Sequence, residues 1–596
     1  MGSILGLGLA FACLLAATQV IMWVIVVSRL VKMPLRAPLV LPIQRDLVID
    51  VLPVLDTVQP QLEQNGFQYM HTRRVRSLVA IVGLPPSYCD VYHHAEQDIH
   101  AEVYLAAPPT PHKLCDIYLW NTFVDGSALL TVNNLVHGLI PYPSSIRIAD
   151  GHAQDLAGQV ATHLAARASI TVARTSAADA LQIAKTMAEQ LLPQMEQEGV
   201  VYRRGHRGEE VVYGFRFLAA AKAAWRMRRA ELQPKKKVKS PATAVLALPD
   251  FGPARLIAER IAFARTLCTL RGLRAPRWFR RTTFALSAAG FLALGSWWWG
   301  PSGAAIIAAV ILLHEAGHWL AMKLAGFRDV QVFFVPGMGG ATSGEKHEAH
   351  PMTHLMVYLA GPVPGLLLAM AVFAWMALTP NHSSAAWYPL LMTGTIATLF
   401  INALNMLPVL PLDGGRIVDL LLVGRMPWLR FVFAVASGGL LLLAGISDGD
   451  NVLRIIGIAM LFGSRQHYRI AKASSLMLRE KLSPASATSD FAAAATQLHD
   501  FLARPAFKKW PYTVKLSVGQ ALLPRFLGRI PSWKEAALGM VVYIFCALVP
   551  LVGLVSLVVV APGSLRNAFS QHTSIGTVTG APVGQTAQPP VDSAEL

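Results

Sequence analysis

The chain has 596 residues, 54% of them hydrophobic and 15% charged, with a formal net charge of +17. This composition excludes a purely soluble or disordered chain. It indicates a polytopic α-helical membrane protein with room for a soluble domain. The positive balance reads as Lys and Arg retained on the cytoplasmic side of a bilayer, not as a nucleic-acid surface. Cys13, Cys89, Cys115, Cys268 and Cys546 show no CxxC and no pairing pattern, so neither a disulfide framework nor a cysteine metal site is expected.

In chain order, residues 1–28 read as an uncleaved membrane anchor. Ile4 to Val27 is apolar, and the cations Arg29, Lys32 and Arg36 follow it rather than precede it, which places the amino terminus outside. Residues 37–215 read as a soluble cytoplasmic α+β domain between spans 1 and 2. Short strands are expected at Ala101 to Ala106, Asp116 to Trp120 and Ala128 to Val132, and helices at Leu52 to Asn65, His152 to Ala166 and Ala177 to Glu198. His93, His94 and His100 read as ordinary histidines.

Residues 216–283 form a basic juxtamembrane linker. Its helix candidate, Arg216 to Leu232, interleaves Phe217, Leu218 and Trp225 with Lys222, Arg226 and Arg229. That pattern suits either an anionic membrane surface or a solvated helix end. A core over 284–464 follows, then a basic cytoplasmic segment (465–533), a last span (534–561) and a disordered tail (562–596).

About eight spans are expected, near 4–27, 284–299, 303–325, 353–378, 387–410, 428–446, 451–464 and 536–560. Their loops alternate as the positive-inside rule requires: Arg271, Arg274, Arg277, Arg280 and Arg281 inside, the Lys- and Arg-free loops 379–386 and 447–450 outside. Spans 2 and 7 are short for a hydrocarbon core about 30 Å thick.

Within span 3 lies His314-Glu315-Ala316-Gly317-His318. Imidazoles at i and i+4 share a helical face and can hold one zinc ion, with Glu315 beside them as general base. Ionisable groups are expensive in hydrocarbon, so three together call for a function. Gly303 to His314 is about 16 Å of helix, which puts the cluster in the inner half of a bilayer.

A third ligand is needed, and Asp413 is the best candidate. Pro408 and Pro411 disrupt the end of span 5, and Gly414-Gly415 is expected to end it, leaving Asp413 on irregular backbone. Such backbone is tolerated at depth only inside protein or beside a water-filled cavity.

With these residues in view, the chain resembles the site-2 protease family of intramembrane zinc metalloproteases. HExxH corresponds to His314, Glu315 and His318; NxxPxxxLDG corresponds to Asn405, Pro408 and Leu412-Asp413-Gly414. Phe333 to Gly340 is similar to a re-entrant hairpin that can present an edge to an extended substrate, and Ala360-Gly361-Pro362 to a GP motif. The GP motif here continues to Val363-Pro364-Gly365, where an Asn is usual. The resemblance covers about residues 300–420 and no recognisable PDZ or CBS domain accompanies it.

It implies one zinc per chain held by His314, His318 and Asp413, with Glu315 as base. It further implies Asn405, Gly337, Gly339 and Gly340 at the substrate or developing oxyanion. The expected partners are the bilayer and a transmembrane segment of a protein substrate, in a bacterial inner membrane with the site toward the cytoplasm. Two other readings stay open. One is a different HExxH membrane peptidase, for which Glu345 and Glu348 would be the acidic ligands at hand. The other is a non-proteolytic scaffold or transport component that keeps a metal site. His347, His350 and His354 are read as interfacial histidines.

Overall fold

The computed structural model describes residues 19, 22–81, 83–110, 113–133, 141–150, 155–175, 177–232, 252–335, 339–346, 349–379, 385–409, 412–423, 425–449, 451–482, 490–528 and 530–560. The chain divides into two units: Met1–Thr283 with Arg465–Arg529, and Phe284–Ser464 with Ile530–Leu596.

The first unit is built on a seven-stranded sheet. Its strands are β1 (Leu39–Ile43), β2 (Phe67–Arg76), β3 (Ser87–His94), β4 (Ile99–Thr110), β5 (Lys113–Thr122), β6 (Ala128–Val132) and β7 (Ile146–Asp150), paired in that order. All pairings are antiparallel except β6 with β7. One face carries an apolar core that includes Tyr92, Ile99, Ala101, Val103, Ile117 and Leu119. Each fully buried Leu, Ile or Phe contributes about 1.5–3 kcal/mol.

The other face is polar and largely buried. Arg73 donates to Glu102 at 2.8 Å, and His100 stacks on Trp120 with ring centroids 4.3 Å apart. β5 is therefore covered on both faces, which removes the apolar–polar alternation that marks a half-buried strand. A second hairpin pairs β8 (Val201–Arg207) with β9 (Glu210–Phe215).

The helix expected over Leu52 to Asn65 is two short pieces, Leu52–Leu55 and Gln59–Gln64. Pro60 cannot donate the hydrogen bond that would continue the first into the second. Leu156–Ala168 and Ala177–Gln197 are helical.

The Gly252–Gly272 helix serves two cores of this unit. Ala254 and Ala258 lie in the sheet core, whereas Phe263 and Leu267 pack with the helices Phe491–Leu502 and Tyr512–Leu527. The basic segment after 464 thus shares a hydrophobic core with the linker.

In the second unit, the helical segment Arg277–Leu324 breaks at Gly300 (φ 72°, ψ 164°), a left-handed conformation open to glycine, just before Pro301. Helices Pro351–Leu359, Pro362–Leu378 and Tyr388–Asn405 follow, then Asp413–Val418, Pro427–Ser447, Asn451–Arg479 and Trp533–Val560. Asn451–Arg479 is one helix, so residue 464, the expected end of span 7, lies within it. Among the described residues three stretches are long and apolar enough to cross a membrane: Arg277–Leu324, Pro351–Leu378 and Pro427–Ser447. Most of the expected first span and the 562–596 tail lie outside the described residues. A β-hairpin, β10 (Arg328–Val335) with β11 (Gly339–Glu345), lies against the Phe284–Leu324 stretch. Phe334 packs there on Phe291 and Ile311, and its amide donates to Ser287 Oγ at 3.1 Å.

Candidate metal centre

Helical spacing puts His314 and His318 on one face of their helix, with ring centroids 4.8 Å apart. Asp413 arrives from the far side of the sequence. Leu412 is extended, and Asp413 opens a short helix, Asp413–Val418, so it is the first helical residue rather than a residue beyond a helix end. Gly414 and Gly415 correspondingly lie in the first turn of that helix. An ideal Cβ on Gly414 would stand 2.4 Å from the Met406 carbonyl oxygen, so this glycine serves close backbone approach, not termination.

His314 Nε2, His318 Nε2 and Asp413 Oδ2 form a nearly equilateral triangle. Each imidazole nitrogen is 3.1 Å from the carboxylate oxygen, and the two nitrogens are 3.2 Å apart. Three tetrahedral zinc ligands with bonds of about 2.0 Å stand about 3.3 Å from one another. All three residues are buried, and they form the one cluster of potential metal ligands found among the described residues.

The outer hydrogen bonds decide the tautomers. His314 Nδ1 faces Asn402 Oδ1 at 2.8 Å, and His318 Nδ1 faces the Val357 carbonyl at 2.7 Å. Both partners are acceptors only, so both Nδ1 atoms donate and both Nε2 atoms of the neutral rings present lone pairs to the centre. Two lone pairs and a carboxylate oxygen converging at this range are compatible only with a cation or an extra proton between them. The donor set therefore fits zinc.

Glu315 is buried beside this triangle and turns toward the hairpin. Thr342 Oγ of β11 donates to Glu315 Oε2 at 2.6 Å. Gly340 closes over the same side chain: a Cβ there would fall 2.5 Å from Glu315 Cγ. Gly339, with φ 115°, begins β11, and Gly337 lies outside the described residues.

Among the described residues no hydrogen bond joins Asn405 to the metal ligands. Its amide donates to the Ile401 carbonyl of its own helix at 2.9 Å. Asn402, one turn earlier and almost fully buried, is the asparagine that reaches His314, while its own amide donates to Thr398 O at 2.7 Å. Asn402 and Thr342 were not singled out from sequence. The signal for Asn402 was a polar residue i−3 from Asn405 in an apolar helix, which alone does not say which face turns inward. Small residues make the room: a Cβ on Gly361 would lie 2.3 Å from His318 Nε2, and one on Gly365 2.4 Å from Asn402 Nδ2. The GP stretch thus gives space where an additional polar side chain was looked for.

The remaining histidines disperse. His350 accepts from the Met352 amide and lies 3.3 Å from Glu535, while His354 packs edge-on against Phe327. His93 lies 3.1 Å from Asp98, and His94 packs on Phe67. His347, and the side chains of Glu345 and Glu348, lie outside the described residues.

No protein-family model matches the chain. Among curated proteins, it is 24% identical over 171 residues to a zinc metalloprotease of Methanocaldococcus jannaschii, covering 28% of this chain and 49% of that protein. It is 31% identical over 120 residues to stage IV sporulation protein FB of Bacillus subtilis, covering 20% and 40%. It is 28% identical over 185 residues to the putative zinc metalloprotease Rip3 of Mycobacterium tuberculosis, covering 31% and 44%. The chain thus spans less than half the length of each curated relative. A solved site-2 protease from Methanocaldococcus jannaschii aligns over 31% of this chain and 88% of its own, at 21% identity and a TM-score of 0.24.

Proposed function

We propose that this chain, a member of the site-2 protease family of zinc metalloproteases, is an intramembrane endopeptidase that hydrolyses peptide bonds in or beside transmembrane segments of other proteins. The reading rests above all on the convergence of His314, His318 and Asp413 from two distant segments onto one buried point, with Glu315 alongside.

One zinc per chain would sit among these three side chains and supply Lewis-acid polarisation of water and of the scissile carbonyl. Glu315 takes the proton of the attacking water and returns it to the leaving amine. Asn402 and the Val357 carbonyl hold the two imidazoles in the tautomer that presents Nε2. A helical substrate hides its carbonyls in its own hydrogen bonds and must unwind. The β10–β11 hairpin beside Glu315 offers an edge to pair with the freed backbone.

The eight-span topology, with the site toward the cytoplasm of a bacterial inner membrane, belongs to the same proposal. An intact base argues against a scaffold that merely retains a metal, since a structural site has no use for Glu315.

The test joins metal and turnover. Detergent-purified wild type should carry about one zinc per chain, lost in His314→Ala and in Asp413→Ala. Glu315→Gln should keep zinc and lose cleavage of a transmembrane substrate. Zinc retained after Asp413→Ala would mean another third ligand, and cleavage surviving in Glu315→Gln would end the protease mechanism.

A further inference from the structure

The helix Phe217–Leu232 turns two unlike faces to its surroundings. Ala220, Ala223 and Ala224 are buried against Val27, Leu30 and Val31 of the amino-terminal helix and against Leu192, Tyr213 and Phe215. The opposite face exposes Phe217, Leu218 and Trp225, the last two by 72% and 65%. Between them stand Lys222, Arg226 and Arg229, all exposed and with no carboxylate partner among the described side chains. Water is a poor environment for an open tryptophan and leucine. Unpaired cations at the same level give no reason for a protein partner's apolar core.

What lies next to this face identifies its environment. Trp23, in the helical residues 22–32, donates its indole N–H to the Ala221 carbonyl at 3.2 Å. Phe279, at the start of the apolar Arg277–Leu324 stretch, packs on the same cluster. The helical residues 22–32 and the start of an apolar stretch long enough to cross a membrane therefore meet on the buried side of the basic helix. Trp23, Ala221, Lys222, Trp225 and Arg226 line a surface cavity of about 320 Å³, with indoles and cations around it. Indoles favour the headgroup level of a bilayer, and cations beside them favour anionic phosphate there.

We infer that the outward face of Phe217–Leu232 is a membrane-contact element that lies in the plane of an anionic leaflet. Trp225, Leu218 and Phe217 enter the headgroup–acyl boundary, and Lys222, Arg226 and Arg229 bind phospholipid phosphates. This assignment stands apart from the peptidase reading and would survive its failure.

The test uses the full chain in proteoliposomes of phosphatidylcholine with phosphatidylglycerol. With acyl chains brominated near the headgroup, the fluorescence lost on Trp225→Phe isolates the Trp225 contribution. Strong quenching of that component is expected; a component equally bright with and without bromine would overturn the inference. In parallel, association of spin-labelled phosphatidylglycerol relative to phosphatidylcholine should fall roughly fivefold or more in Lys222→Gln/Arg226→Gln/Arg229→Gln. An unchanged lipid preference in that variant, with wild-type helix content, would also overturn it. All four substituted positions are exposed, and circular dichroism checks that the variants fold.

Discussion

His314 donates its Nδ1 proton to Asn402 Oδ1 at 2.8 Å, across 88 residues of sequence, and so turns its Nε2 lone pair toward Asp413. Removing this acceptor frees the ring to rotate and to change tautomer. Asn402→Ala should therefore lower zinc affinity about 10- to 100-fold, as losses of such supporting hydrogen bonds generally do. Asn405→Ala should leave affinity unchanged, because Asn405 bonds its own helix. Competition with a calibrated chelator separates the two. Equal losses would show that the inward face of this helix has been misassigned.

Gly361 gives a second, steric handle on the same ligands. A methyl group there would meet the His318 ring at 2.3–2.8 Å. The ring cannot yield without leaving Val357 O or the metal point, so Gly361→Ala should purify with much less zinc than wild type. Overpacking of this kind costs about 1–3 kcal/mol, which leaves the helices folded by circular dichroism. Gly365→Ala should instead behave like Asn402→Ala, since its methyl meets the Asn402 amide. A full zinc complement in Gly361→Ala would refute the steric argument.

The sheet of the first unit has its own acid sensitivity. Burial pushes His163 down to about 3, with Arg167 adding to the effect, and pushes His100 down to about 4, with His93 adding. His163 is fixed as neutral by its partners: Nε2 donates to Asn121 Oδ1 at 2.9 Å and Nδ1 accepts from Thr131 at 2.8 Å. Both folded values lie below the unfolded value of about 6.5. The stability they represent is complete above that pH and is lost as pH falls below it, by about 1.4 kcal/mol per pH unit for each histidine. Hydrogen-exchange protection of β4, β5 and β6 should decline below about pH 6.5. His100→Phe, which keeps the stack on Trp120, should remove roughly half of the slope. Protection constant down to about pH 4.5 would contradict these burial effects.

The parts of the site visible in sequence are those specified by local geometry. HExxH needs only one turn of helix to bring its imidazoles together. Asp413 was flagged by the Pro408–Pro411 interruption around it, although the glycines after it proved to open a helix. Asn402 and Thr342 depend on facts that a single strand of text does not carry: which face of the Tyr388–Asn405 helix turns inward, and which strand crosses Glu315. The sheet was under-read for a related reason. β5 is buried on both faces, and β2 carries Arg73 and Arg76, whose partners Glu102 and Glu210 are known only once the chain is folded. Helix 217–232 was visible as basic and aromatic, while its outward face became defined only when Ala220, Ala223 and Ala224 were found inside.

The contact between Thr342 and Glu315 yields the last prediction. Oε2 accepts from the threonine hydroxyl, which leaves Oε1 as the oxygen free to take a proton. Thr342→Val keeps the shape and suits a strand position opposite Val332, so the hairpin should fold. The carboxylate would lose its anchor and sample other rotamers. General-base catalysis is worth about 10²- to 10⁴-fold, and misplacement forfeits part of it. Turnover should fall about tenfold to a hundredfold, with KM and zinc content near wild type. Thr342→Ser, which restores the hydroxyl, should recover most of the rate. Glu315→Gln serves as the floor in the same assay. If Thr342→Val turns over at the wild-type rate while Glu315→Gln is inactive, the base acts without this anchor and the hydrogen bond merely packs the hairpin.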